Sequence, residues 1–193
     1  MIQDNMVLIL GWIKYEKVKW LQNNNPEVPG IVYKLAQDDE KARKLDNVRK
    51  LWDAILEIRP VKNVFMDGDI NRESYAVDHF IPRNFVMNDE LWNLMPMDPI
   101  QNMKKNKKLP VWEDYFGQFA NNQFMMYEMI FEKPGLLKLY KQCYKDNLHS
   151  IWAIQELYRQ GNSPTEFINI LEKNMQPVYD SARRQGYEIW KVS

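Results

Sequence analysis

The stretch from Tyr75 to Pro110, YAVDHFIPRNFVMNDELWNLMPMDPIQNMKKNKKLP, constrains the chain more than any other part of it. Tyr75-Ala76-Val77 reads as a short strand, and Phe80-Ile81-Pro82 ends it, because proline has no N–H to give to a ladder. His79 therefore falls at a strand-to-loop junction. Neighbours on a regular strand point to opposite faces, so Asp78 and His79 can serve one site only if the chain bends there, as Pro82 invites. Histidine is the side chain suited to act as a neutral base near neutrality. Pro99-Ile100-Gln101 is suited to open a helix carrying Asn102, whose amide oxygen is a hard ligand of the kind magnesium takes. Lys104, Lys105, Lys107 and Lys108 follow as a local positive patch suited to phosphates. Taken singly, each feature also has an ordinary reading: a satisfied polar histidine, a turn asparagine at Asn93, a solvated lysine face.

Order and spacing narrow the choice. A Val-Asp-His-x-x-Pro strand end is followed by Phe85-Val86, an acidic turn at Asn88-Asp89-Glu90, Trp92-Asn93-Leu94, then Asn102, Lys105 and Leu109-Pro110. This arrangement resembles the HNH endonuclease motif, a strand-strand-helix metal fold, and it covers under a fifth of the chain. The resemblance implies that His79 activates the attacking water. It implies that Asp78 and Asn102 hold one divalent ion, Mg2+ or Mn2+, against the scissile phosphate. Asn93 would hydrogen-bond across the loop and keep the histidine oriented, and Lys105 would contact the phosphate backbone. Asn102 stands where the motif's last histidine gives it its name. Many relatives add Cys-x-x-Cys pairs that hold a structural zinc, but Val64 to Gly68 has no cysteine and Cys143 is the only one in the chain. Four thiolates are needed for such a closed site, so no structural zinc is expected. Apolar packing through Phe65, Phe80, Phe85, Trp92 and Leu94 is expected to hold the loop instead.

With 193 residues and 45% apolar content, one compact domain with a real core is expected. A formal net charge of zero excludes a wholesale basic coat, so any nucleic-acid contact must be local. A single cysteine fits a reducing compartment. The longest apolar run, Met6 to Leu10, is too short to span a membrane and lacks a basic leader, so a cytoplasmic protein without membrane association is expected.

Along the chain, Asn5 to Leu21 is patterned as a helix, and Ile31 to Leu35 begins another element. Lys41 to Ile58 repeats Leu45, Val48, Leu51, Trp52, Ile55 and Leu56 at three- and four-residue steps, a second helix expected to pack with the first on the motif. Val61 to Met66 and Ser74 to His79 read as the two strands of a hairpin, joined by a polar turn over Asp67-Gly68-Asp69 in which Asp67, Asp69 and Glu73 are solvated. Arg83 lies close enough after His79 to meet a phosphate bidentately. Trp112 to Phe131 is an aromatic- and Met-rich helix, broken by Lys133-Pro134-Gly135. Leu136 to Arg159 is one long helix or two with a bend near Asp146-Asn147. Ser163-Pro164-Thr165-Glu166 is a capping box opening a helix to about Asn174. Pro177 then begins a last helix to Arg184, Gly186 stops it, and Tyr187 to Val192 alternates like a short strand. His149 has no companion at metal spacing and is expected to be structural.

These readings converge on a mainly α (α+β) protein with an embedded ββα-metal motif, built on a short antiparallel hairpin and one helix. Residues 1–60 form an N-terminal helical segment, 61–110 the motif, and 111–193 a helical segment packed on it or on a partner. The expected activity is magnesium-dependent cleavage of DNA, with RNA left open, in restriction, phage defence or a mobile element. Arg83, Lys104, Lys105, Lys107 and Lys108 are the expected nucleic-acid contacts. Two other readings remain: a catalytically silent nucleic-acid-binding scaffold, and an effector subunit whose C-terminal helices meet a partner or a second copy.

Overall fold

The computed structural model describes residues 6–24, 28, 31 and 44–192. Helix α1 (Met6–Asn24) is followed by α2 (Asp46–Ile58), then by strand β1 (Ala76–His79) and the short helix α3 (Arg83–Val86). A single 3-10 turn (Leu91–Asn93) runs directly into β2 (Leu94–Met97), and α4 (Pro99–Lys105) and β3 (Leu109–Pro110) complete the central segment. Beyond it lie α5 (Trp112–Glu132), α6 (Pro134–Asn147), a π-helical turn (Ala153–Leu157), α7 (Pro164–Arg184) and β4 (Ile189–Trp190). The protein is thus mainly helical with a small antiparallel sheet at its centre. Among the described residues, no helix is long and apolar enough to cross a membrane.

The hairpin is built differently from the sequence expectation. β1 pairs antiparallel with β2, downstream of it, in the register Ala76↔Met97, Val77↔Pro96, Asp78↔Met95 and His79↔Leu94. Val61 to Met66 forms no strand, and only a lone bridge between Lys62 and Asp69 remains of the expected pairing. The reason lies in β2. Leu94-Met95-Pro96-Met97 is buried at every position, so it lacks the alternation that marks a half-exposed strand. Pro96 lowers its strand propensity further, and is tolerated because a two-stranded sheet leaves each strand an outer edge. Asp67 and Asp69 lie on an exposed turn as expected, with Asp69 held by Lys62 at 2.9 Å.

α4 opens as its sequence dictates. Asp98 caps it, accepting from the N–H groups of Ile100 and Gln101, and Pro99 occupies the first helical position. The capping box at Ser163 and Glu166 is complete. Here the structure departs from expectation again, because α7 continues through Pro177 to Arg184 as one helix. Proline forfeits one backbone bond in a helix interior. The buried row Phe167, Leu171, Met175, Tyr179 and Ala182 runs unbroken across it and holds the two halves in line. The expected bend near Asp146-Asn147 is a true break, since α6 ends at Asn147. β4 pairs in parallel with β3 and ties the C-terminal segment to the end of the central one.

α2 starts at Asp46 rather than Lys41; Leu45 is its N-cap residue, and 41–43 lie outside the described residues, as does most of the element expected from Ile31 to Leu35. α2 presents Val48, Leu51, Trp52, Ile55 and Leu56 to the core. α1 does not follow it. None of its side chains is buried, and Val7 and Leu8 are 84% and 72% exposed. Five consecutive apolar residues encircle a helix instead of forming a stripe, so α1 has no single face to offer a core.

Buried apolar side chains from Val48 to Trp190 form one continuous cluster. Phe80 sits at its heart, stacked on Phe119 with ring centroids 4.5 Å apart and edge-on to Trp112 at 5.8 Å. Phe65, Phe85, Trp92 and Leu94 are buried around it. Cys143 lies fully buried on α6, and burial, aided by the nearby Asp146 carboxylate, pushes its thiol up to about 12. Only the thiolate reacts readily. Cys143 should therefore resist a thiol-labelling disulfide reagent in the native protein and react within minutes in denaturant; fast native labelling would contradict this packing.

Candidate active site

The site begins with the bend that the Asp78-His79 pair requires. Phe80 N–H donates to Asn93 C=O at 2.8 Å, extending the β1–β2 ladder one step past His79. Next, the Asn93 carboxamide closes on a single residue: its Oδ1 accepts from Ile81 N–H and its Nδ2 donates to Ile81 C=O, both at 2.8 Å. Asn93 is completely buried. An amide that supplies one donor and one acceptor in a fixed plane is matched to a backbone unit that needs both. This clamp turns the chain at Pro82 into α3.

His79 is 1% exposed. Its Nε2 lies 3.0 Å from Asn88 C=O and 3.1 Å from Asp89 Oδ1. Both neighbours only accept, so a neutral ring carries its hydrogen on Nε2. That leaves Nδ1 with a bare lone pair. Nδ1 has no hydrogen-bond partner, and Asp78 Oδ1 is 4.0 Å away. Asp89 is fixed in turn by Arg83 Nε at 3.2 Å and by Lys44 N–H at 3.3 Å. Burial works to raise the Asp89 carboxyl, but the His79 hydrogen bond and charge, with Arg83 and the Lys44 N–H, outweigh it and hold the group below the usual carboxylate range.

Asp78 faces the other way, as alternation requires. It lines an open cleft of about 520 Å³ together with Pro82, Arg83, Asn84, Asn102, Met103, Asn106 and Lys107. The bend thus brings Asp78, Asn102 and Arg83 to one cleft, with His79 buried behind Asp78. A second cleft of about 370 Å³ shares Asn106 and Lys107 with the first and continues past Lys108 to Tyr187. Lys104 and Lys107 are exposed and Lys108 half-buried, and Lys108 pairs with Glu188 at 3.0 Å.

Lys105 departs from the expected surface patch. It is fully buried, and its ammonium lies 2.8 Å from Asp78 Oδ2. Side chains four apart share a helix face, and Gln101 and Lys105 are the two that α4 buries. The sequence run KKNKK conceals that division. Removing one partner of a buried pair leaves the other uncompensated, which costs about 3–5 kcal/mol. Lys105→Met should therefore lower the unfolding free energy by about that much, whereas exposed Lys104→Ala should change it by less than about 0.5 kcal/mol. Urea titration of the two variants checks this, and equal small effects would return Lys105 to the surface set.

Asp89 is the residue that sequence reasoning missed, since it appeared there only as part of an acidic turn. Its distance of ten residues from His79 gives no hint of contact; the turn at Met87 (φ 57°) folds it back. His149 is exposed, with Nε2 3.2 Å from Asp146 C=O, consistent with a structural role.

Residues 64–111 match the family model of the HNH endonucleases. This segment is similar to an HNH endonuclease module. The match covers 48 of the 193 residues, from Val64 ahead of β1 to Val111 after β3. No curated protein matches the chain. An HNH module is a nuclease module, so nucleic acid is the class of substrate that comes with it. The HNH hairpin and helix here are β1, β2 and α4, and the family match does not extend to the helices that precede and follow them.

Proposed function

We propose that the protein is a metal-dependent HNH endonuclease that hydrolyses DNA phosphodiester bonds with a single divalent ion. The observation that carries this reading is the bare, unpartnered Nδ1 of His79 beside Asp78, behind a cleft rimmed by Arg83, Asn102 and Lys107. The donor set suits Mg2+ or Mn2+. Asp78 offers one carboxylate and Asn102 one amide oxygen, and magnesium keeps its remaining positions for water and substrate phosphate. Among the described residues, no group of three His, Cys, Asp or Glu forms a cage that would hold an ion without substrate. When bound, the ion would supply charge stabilisation at the phosphate and the leaving oxygen.

The chain's own residues do the rest. His79 Nδ1 takes the proton of the attacking water, and its Nε2–H stays on Asp89 and Asn88, so the ring gains charge against a carboxylate already in place. Asn93 fixes the bend that keeps Asp78 and His79 at one site. Lys105 balances Asp78 from the protein side. Arg83, Lys107 and Lys108 meet backbone phosphates along the two adjoining clefts, a local attraction that a chain of zero net charge needs; exposed Lys104 lies outside their lining.

Supercoiled plasmid incubated with Mg2+, Mn2+ or EDTA tests the reading. One active site cuts one strand per visit, so nicked circles should appear first and linear DNA later, with no product in EDTA. Cleavage undiminished in EDTA would overturn the metal assignment. Absence of product under every condition, with RNA cut instead, would overturn the DNA assignment.

A further inference from the structure

The turn that holds His79 is not anchored by its own module alone. Asn147, fully buried at the end of α6, donates through Nδ2 to Asp89 C=O and to Lys44 C=O, each at 2.8 Å. Glu90, the next residue of the turn, is a buried carboxylate only 3% exposed. Its oxygens accept from Ser150 Oγ at 2.6 Å, Ser150 N–H at 3.1 Å, His149 N–H at 3.2 Å and Trp92 Nε1 at 2.9 Å. Trp92 in turn packs on Trp152, with ring centroids 5.3 Å apart. Three of the four Glu90 donors, and the Asn147 amide, therefore come from residues 147–150, well outside the matched segment 64–111. A buried carboxylate is costly unless its lone pairs are filled, so Glu90 locks the break after α6 and the Asn88–Glu90 turn to each other.

We infer that Asn147 and Glu90 are positioning residues for His79, through which the C-terminal helices hold the Asn88–Asp89 acceptors on Nε2 and so keep Nδ1 free to act as base. The inference rests on the reading of His79 as the base. Neither residue touches the cleft. Their contribution acts through ring orientation, and so on the rate of the chemical step rather than on substrate affinity. Small misplacements of a reacting group are costly in rate.

The test is Asn147→Ala in the full chain, measured in two ways. Steady-state cleavage of plasmid should show kcat lowered about tenfold with KM within about twofold of the parent. Nitrogen chemical shifts of the His79 ring should pass from a fixed Nε2–H pattern to averaging between tautomers. Glu90→Gln, whose carboxamide can still accept from the N–H donors and donate to Ser150 Oγ, should stay within about twofold of the parent in kcat. If Asn147→Ala does not fold, Ser150→Ala, which removes one hydroxyl bond to Glu90, takes its place with an expected fall of about threefold in kcat and unchanged KM. A folded variant with parental kcat and a fixed Nε2–H overturns the inference. The ring spectra do not require activity. A parent protein that cuts nothing therefore defeats the nuclease reading, while a tautomer unchanged by Asn147→Ala defeats this one.

Discussion

His79→Ala should lower the rate of metal-dependent DNA cleavage by about 10²- to 10⁴-fold, the usual contribution of a positioned general base. Binding of the same DNA should hold within about twofold, because His79 is 1% exposed and the phosphate-facing groups lie on the other side of Asp78. The expected split between rate and affinity is what makes the result diagnostic. A histidine that merely filled space would, when removed, weaken folding and binding together. Here the buried ring already leaves Nδ1 without a partner, which a purely structural residue would be expected to satisfy. Full metal-dependent cleavage by the alanine variant would remove His79 from the mechanism. Asp78→Ala offers a control of a different kind: it should abolish the response to Mg2+ while leaving the His79 ring held on Asn88 and Asp89.

Asn93→Ala should lower the unfolding free energy by about 2–6 kcal/mol, an effect as large as that of Lys105→Met. The alanine leaves both the N–H and the C=O of buried Ile81 without partners, and each such group costs about 1–3 kcal/mol. Asn93→Asp should be intermediate, since a carboxylate still accepts from Ile81 N–H but repels Ile81 C=O. Cleavage should fall in both variants even at temperatures where they are folded, because the bend that sets Asp78 and His79 at one site depends on this clamp. Denaturant unfolding read by tryptophan fluorescence gives the first quantity and plasmid cleavage the second. A stable Asn93→Ala with parental activity would show that Pro82 alone sustains the bend.

The local placement of the candidate site's residues was largely legible in the sequence because near neighbours set it. Asp78-His79 ends a strand, Asn93 lies in a short Trp-Asn-Leu turn, and Asn102 sits one turn into a helix whose start is written in Asp98-Pro99. The helices on either side of Pro134 and the capping box at Ser163 were legible for the same reason, as punctuation needs only a few neighbours. The hairpin partner was not. Leu94 to Met97 is buried throughout, so it carries no period to read, and Val61 to Met66 offered a nearer and more strand-like candidate. Lys105 was misplaced because a run of lysines carries no mark of which one faces inward.

The sequence by itself determined which groups are available: one histidine at a strand end, oxygen donors at Asp78 and Asn102, a lysine run, and a helical remainder built on three- and four-residue apolar steps. Tertiary structure alone decided how they are held. Asp89 reaches His79 because the turn at Met87 folds back, and that turn is fixed by Asn147 and by Ser150, about sixty residues away in the chain. Long-range hydrogen bonds of this kind leave no periodicity and no fixed spacing, since their geometry comes from how α2, α6 and the central segment pack around one apolar core. Buried polar groups must find partners wherever packing puts them, and only the folded chain shows which partners those are.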